Sequence, residues 1–211
     1  MIRKLAITFA ITTIVLILIV SCAPPTLTPT TTPEPEIPAH FSTYTSEGLF
    51  SISYPPDWEP ATSFLGELWE QTKELMKSTD PNVSLEGVSF IFFGGIPIEE
   101  GWNPNVNIIV GPRATGYWTL DEIVEAESQY GKEHSQRYHE YSQIRTIVDG
   151  REASIIDLED YDPDFGLLRY LQLYMTEDKF VWIVTCTTES EHFQDYEHTF
   201  NNIVRSLRIL D

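Results

Sequence analysis

Apolar and polar positions alternate with period two along Phe50, Ser51, Ile52, Ser53 and Tyr54. That pattern predicts a strand with one buried face, ended by Pro55 and Pro56. Residues 88–93 and 106–110 read as two further strands, parted by a Gly- and Pro-bearing loop over 94–104. Between the first and second strands, Phe64, Leu65, Leu68, Trp69, Leu75 and Met76 recur near one face of a helix. A second helix is marked at its start by Thr119 and Glu122 in capping-box spacing, with Trp118 and Ile123 placed as a hydrophobic staple. Leu120, Ile123, Val124 and Tyr130 form its buried side. Asp149 and Gly150, set between 144–148 and 153–158, predict a tight hairpin, because a primed turn needs positive φ at both central residues. Residues 167–175 and 180–186 follow as strands joined by 176–179. The run from Phe180 to Val184 is apolar without alternation, so its strand should be central and covered on both faces. Thr188 and Glu191 repeat the capping-box spacing and predict a last helix there, whose stripe is Phe193, Tyr196, Phe200, Ile203, Val204 and Leu207. Strands joined by hairpins, with helices before, between and after them, define an α+β fold: a mainly antiparallel sheet covered by helices.

The N-terminus changes this picture from a fold to an address. Arg3 and Lys4 precede an uncharged apolar stretch over 5–20, the profile of a signal peptide. It is shorter than a spanning helix needs and runs into Pro24 and Pro25. The residues IVSCA at 19–23 resemble the lipobox of bacterial lipoproteins. That resemblance implies a diacylated Cys22 as the first residue of the mature chain, and two fatty chains on one cysteine hold a membrane stably. Residues 23–40 carry Pro24, Pro25, Pro29, Pro33, Pro35 and Pro38 among threonines, without apolar periodicity. Such a segment favours extended polyproline geometry and could hold a domain roughly 55 Å from a bilayer. The expected organisation is a leader over 1–21, a lipidated cysteine and tether over 22–40, and a globular domain over 41–211. The expected location is the extracytoplasmic face of a bacterial membrane.

Charge and cysteine content narrow the partners. A formal charge of −19 argues against nucleic acid, whose affinity comes chiefly from Lys and Arg displacing counterions. Two cysteines are too few for a disulfide framework or a four-ligand structural zinc site. Cys186 falls in an apolar strand, which predicts a buried, inert thiol.

Candidate chemistry is sparse. Asp157, Glu159, Asp160, Asp162 and Asp164 crowd into one short segment, and Asp160, Asp162 and Asp164 present alternate oxygens followed by Gly166. Hard cations such as calcium take ligands of this kind. Against an EF-hand, the glycine falls at loop position seven, and Leu171 stands where a bidentate glutamate belongs. The other reading of the segment is a solvated hairpin tip, and no cofactor is expected beyond a weakly held calcium ion. Glu189 with His192, and Asp195 with His198, have a spacing used in di-iron bundles, but the matching second set is missing, so they read as helix surface. His134 and His139 are off the spacing that stacks two ligands on one helical face. Neither a Gly-x-Ser-x-Gly elbow nor a phosphate-cradling glycine loop occurs. Trp102, with Ile96 and Ile98, lies in the 94–104 loop, where exposed aromatic and aliphatic residues would serve as binding anchors.

Three stretches together resemble the PsbP-like family: GLFSISYPPDW at 48–58, the DGREA hairpin at 149–153, and WIVTC at 182–186 followed by FNNIVRSL at 200–207. That family includes the extrinsic lumenal subunit of photosystem II and many bacterial lipoproteins. The resemblance implies an α/β/α sandwich, with helices on both faces of the sheet, that acts by binding and not by catalysis. The expectation is thus a membrane-anchored, non-enzymatic accessory module for a protein partner. Two other readings stay open: a binder of a small ligand or divalent cation through the Asp157 to Asp164 segment, and a hydrolase whose catalytic residues meet only in space.

Overall fold

Ten strands and three helices follow one another in the computed structural model, which describes residues 37–61, 65–79, 86–96, 103–113, 119–135 and 137–210. In chain order they are β1 (Ser42–Ser46), β2 (Phe50–Tyr54), β3 (Glu59–Pro60), α1 (Leu65–Thr79), β4 (Ser89–Gly95), β5 (Asn105–Pro112), α2 (Leu120–His134), β6 (His139–Val148), β7 (Arg151–Asp162), β8 (Gly166–Glu177), β9 (Phe180–Glu189), α3 (Phe193–Arg205) and β10 (Arg208–Ile209). The leader, Cys22, most of the tether, and Phe64, Ile98, Trp102 and Trp118 lie outside the described residues, as do the side chains of Leu68, Leu75 and Met76.

Every strand pairing is antiparallel. Seven strands form one sheet in the order β3-β4-β5-β9-β8-β7-β6, and three form a second in the order β1-β2-β10. The central hairpin turns at Asp149 (φ 53°) and Gly150 (φ 73°), the left-handed pair that a two-residue turn matched to strand twist requires. β9 sits between β5 and β8 and is buried along nearly its whole length, as its unbroken apolar run predicts.

The two faces of the large sheet carry separate cores. On one, Val106, Ile108, Ile155, Leu173 and Val184 meet Phe200, Ile203 and Val204 of α3 together with Phe50 and Ile52 of the small sheet. On the other, Leu120, Ile123 and Val124 of α2 pack on Ile156, Leu158, Leu168 and Ile183. The sandwich of helices around an antiparallel sheet is the α+β architecture expected from the sequence.

Several boundaries differ from expectation, among them the start of β6, which lies at His139 where the sequence suggested Ile144. β7 continues through the acidic residues to Asp162, where the sequence suggested an end near Leu158. The capping box expected at Thr188 and Glu191 does not form. Thr188 is a buried strand residue opposite Arg169, and α3 begins at Phe193 after a 3₁₀ turn over Ser190–His192, with no side-chain cap from His192. Strand pairing with β8 runs on as far as Glu189 and so takes the residues that local spacing assigned to a helix start. At α2 the corresponding box is present: Glu122 N–H donates to Thr119 Oγ1 (3.3 Å) while Thr119 N–H donates to Glu122 Oε2 (2.6 Å).

Candidate functional site

The acids of the 157–164 segment find partners within the chain. Asp157, nearly buried, accepts a two-pronged hydrogen bond from Arg169, Nε to Oδ1 at 2.8 Å and Nη2 to Oδ2 at 2.7 Å. Ser190 donates to Glu159, and Ser135 to Asp160, which also accepts from the Tyr161 N–H at 2.7 Å. Asp162 Oδ1 accepts from the N–H groups of Asp164 (2.8 Å) and Phe165 (3.1 Å), closing the turn that Gly166 completes at φ 84°. Burial pushes the Asp160 and Asp162 carboxyls up from the ordinary range, against the hydrogen bonds that hold them down. Asp164 is exposed. The structure does not gather Asp160, Asp162 and Asp164 into one ligand set. Among the described residues, the acid and histidine atoms lying mutually within 4.8 Å belong to Glu189, Glu191 and His192 on the surface.

Arg169 is held by more than Asp157. Its guanidinium carbon stands 3.8 Å from the Tyr141 ring centroid and 4.2 Å from that of Phe193, the first residue of α3. The Asp157 hydrogen bonds raise its already high pKa further, and burial opposes them. Beside this stack the sheet face is uncovered. Tyr141, Ile144 and Tyr161 are each 47% exposed, and Leu167, opposite Tyr161 in the ladder, is exposed as well. Ile144 pairs with Ile155 of the main core, and Tyr161 follows Ile155 at even spacing along β7, so these residues share the face that carries α3. Arg137 lies 5.1 Å from the Tyr161 ring, and His139 meets Tyr141 edge-on at 4.5 Å.

β6, which carries Tyr141 and Ile144, is the last strand of its sheet, and among the described residues no strand pairs with its outer side. Its register shifts between Glu140 and Ser142, a bulge that turns Tyr141 out and leaves a regular edge from Gln143 to Val148. An open edge with aromatic and Arg side chains on the adjoining face presents the two features that protein partners use most, main-chain hydrogen bonding and large anchors. The sequence reading missed this patch. Its signal was the mixed polarity of 139–143, which satisfies neither face of a covered strand.

Other sequence candidates sit elsewhere. Ile96 is half-buried against the main core, its N–H donating to Pro104 O at 3.2 Å, while Ile98 and Trp102 lie outside the described residues. Cys186 is buried as a free thiol, and burial pushes it well up, away from the reactive thiolate. His198 is exposed on the polar side of α3, as its helical angle implies. His192 lies 3.7 Å from both Glu189 and Glu191 and 3.8 Å from Asp195. Beneath α2, Ser128 Oγ donates to Glu140 at 2.5 Å and accepts from Lys132 at 2.7 Å. Burial, then the Glu140 charge, raises Tyr138 above the ordinary tyrosine range. Glu127, half-buried on the same helix, has its carboxyl pushed well up by burial, and its charge is felt by Tyr138 and Tyr174.

Taken with the two-core sandwich, this arrangement is a PsbP-like α+β fold. The solved structures it resembles include cyanobacterial PsbP (CyanoP) from Synechocystis, at 12% identity and a TM-score of 0.54 over 81% of this chain and 93% of that one. LpqN of Mycobacterium tuberculosis, described as involved in cell envelope biogenesis, is similar at 11% identity and a TM-score of 0.53, over 82% of this chain and 92% of its own. The chain matches no family model and no curated protein.

Proposed function

We propose that this protein is a lipid-anchored extracytoplasmic accessory module that binds a protein partner without catalysing a reaction, using the β6 edge and the aromatic patch beside it. The observation that carries the reading is the exposed group Tyr141, Ile144, Tyr161 and Leu167 gathered on one rim of the large sheet. Interface cores are enriched in aromatic residues and Arg, and Arg169 holds Tyr141 in place through a stack whose other side is the buried ring of Phe193. The acidic chain would steer a basic partner to this rim. The anchoring rests on the leader and the lipobox-like residues around Cys22. Support for an envelope role comes from the fold shared with LpqN, whose own description is cell envelope biogenesis.

The test is cross-linking in native membranes followed by mass spectrometry, with wild type compared against Tyr141→Ser/Tyr161→Ser and against Cys22→Ala. A partner captured by wild type, lost with the double variant and reduced with Cys22→Ala is the expected result. Equal capture by the wild type and the double variant overturns the site. A mature chain whose N-terminal peptide carries no diacylglyceryl mass on Cys22 overturns the anchor.

A further inference from the structure

β6 ends its sheet at a regular edge, and the phase of its pairing with β7 fixes which main-chain groups lie open. Asp149 and Gly150 make a two-residue turn, so Val148 and Arg151 on either side of it exchange both their hydrogen bonds. Every second pair does the same, Thr146 with Ala153 and Ile144 with Ile155. The N–H and C=O groups of Gln143, Arg145 and Ile147 therefore point off the sheet, donors and acceptors in one line. Gln143 is exposed, Arg145 and Ile147 are half-buried, and no strand among the described residues pairs with them on that side. A row of this kind is a template for one more strand.

One side chain on the α3 face beside this edge lacks a counter-charge. Arg205, half-buried at the end of α3, donates from Nη1 to Thr146 Oγ1 at 2.9 Å. Nearby arginines each meet a carboxylate: Arg145 that of Asp121, Arg151 those of Asp149 and Glu177, Arg169 that of Asp157, and Arg208 that of Asp149. Arg205 meets none among the described residues, and burial draws its pKa down from the ordinary value with no acid to oppose it. A guanidinium taken from water without a counter-charge is costly, and a carboxylate brought to it recovers part of that cost. Ile144, on the same face and two residues from Thr146, is 47% exposed. A cationic and an apolar contact thus stand side by side along the open edge.

This pairing of contacts selects the occupant. An antiparallel strand added beside 143–148 would lie about 4.8 Å away and place its residue facing Thr146 in a non-hydrogen-bonded pair, the closer kind. A Glu or Asp there stands beside the Arg205 guanidinium, and an apolar residue two positions further along covers Ile144. A second copy of β6 fits badly. Centred on Thr146, it sets two Arg205 side chains together; centred on Arg145, it opposes two arginines and brings no acid to Arg205. We propose that the protein partner binds by adding an extended segment as an eighth strand along β6, with a carboxylate facing Thr146 and Arg205 and an apolar residue over Ile144. This rests on the β6 rim being the protein-binding site. The acidic chain draws a basic protein at long range, while Arg205 acts at contact on one residue of it.

The probes are two capped peptides titrated into the ¹⁵N-labelled full-length chain in detergent: KTTETVTYK, whose Glu falls opposite Thr146 and whose Val falls opposite Ile144, and KTTQTVTYK. Saturable shifts at the backbone amides of Gln143, Arg145 and Ile147 are expected, with the Glu peptide bound about fivefold more tightly. The Gln peptide carries the higher positive charge, so general attraction to the acidic chain would give the opposite order. Gln143→Pro, which removes an outward N–H, should abolish the shifts at Arg145 and Ile147, and Arg205→Gln should make the two peptides bind equally. Should Arg205→Gln fail to fold, the order of the two peptides on the wild type decides the matter. Absence of saturable shifts up to millimolar peptide, or equal affinities on the wild type, overturns the proposal. So does a shift of the same amides with protein concentration alone, which marks a second copy on the edge. Cross-linking in native membranes separates this from the rim itself: capture lost with Tyr141→Ser/Tyr161→Ser but kept with Gln143→Pro overturns strand addition alone, whereas capture kept with both overturns the rim as well.

Discussion

Arg169 shows how much of this surface depends on single side chains. It neutralises Asp157, supports Tyr141 and touches the first ring of α3. Arg169→Leu would leave the nearly buried Asp157 without its counter-charge, and a broken pair of this kind destabilises by about 3–5 kcal/mol. Arg169→Lys should recover little of that, because an ammonium cannot make the planar two-pronged contact and stack on both rings. Urea unfolding of the two variants measures both effects. Glu127 gives the pH dependence. Its folded carboxyl titrates well above the ordinary value of 4.5, so folding favours the protonated form. Stability from this group is full below that ordinary value and is lost as pH rises through the shifted one. Glu127→Gln should therefore match the wild type near about pH 4 and exceed it at about pH 7, with urea midpoints that diverge between. Midpoints that stay parallel across this range would mean that the carboxyl is solvated in the folded chain.

At the scale of elements, two identical-looking start signals had different fates. Thr119 caps α2, and Thr119→Ala should lower stability by about 1 kcal/mol. Glu191 caps nothing and is exposed, so Glu191→Ala should stay within about 0.5 kcal/mol in the same denaturant titration. The strands at 50–54, 106–110 and 180–186, the Asp149-Gly150 turn and the buried stripe of α3 were legible because period and turn chemistry are local. The path of β7 was not. Acid after acid reads as a hairpin tip, yet Asp157, Glu159 and Asp160 are accommodated in a strand by Arg169, Ser190 and Ser135, partners from three other segments. The buried Asn105 and Asn107 were equally hidden, since their strand reads as apolar from Val106, Ile108 and Ile109 alone.

Over the whole molecule, the small sheet meets the large one through aromatic rings, Phe50 standing 6.2 Å from both Phe92 and Trp182, and α3 closes the same core. Phe200 of α3 contacts the rings of Trp58, Phe193 and Tyr196 at centroid distances of 6.3, 6.0 and 5.8 Å, and lies within the core that also holds Phe50 and Ile52. Phe200→Ala should cost about 3–5 kcal/mol. Unfolding followed by tryptophan fluorescence and by far-ultraviolet dichroism should remain coincident, because neither sheet keeps its apolar face covered alone. Separate transitions would show that the sheets are independent. The first and last described strands meet in this region: β2 pairs with both β1 and β10, Ser206 Oγ accepts from Ser53 N–H at 2.8 Å, and Leu210 N–H donates to Leu49 O at 3.1 Å. β1 is the outermost of the three strands, and the N-terminal segment runs directly into it. Any pull arriving along that segment is thus taken first by one short hairpin, in a different sheet from the β6 rim. Were the chain anchored through Cys22 as proposed, tension along that segment would peel the five residues of β1 from β2 while the seven-stranded sheet kept its shape, which would make β1 a mechanical fuse between the anchor and that sheet.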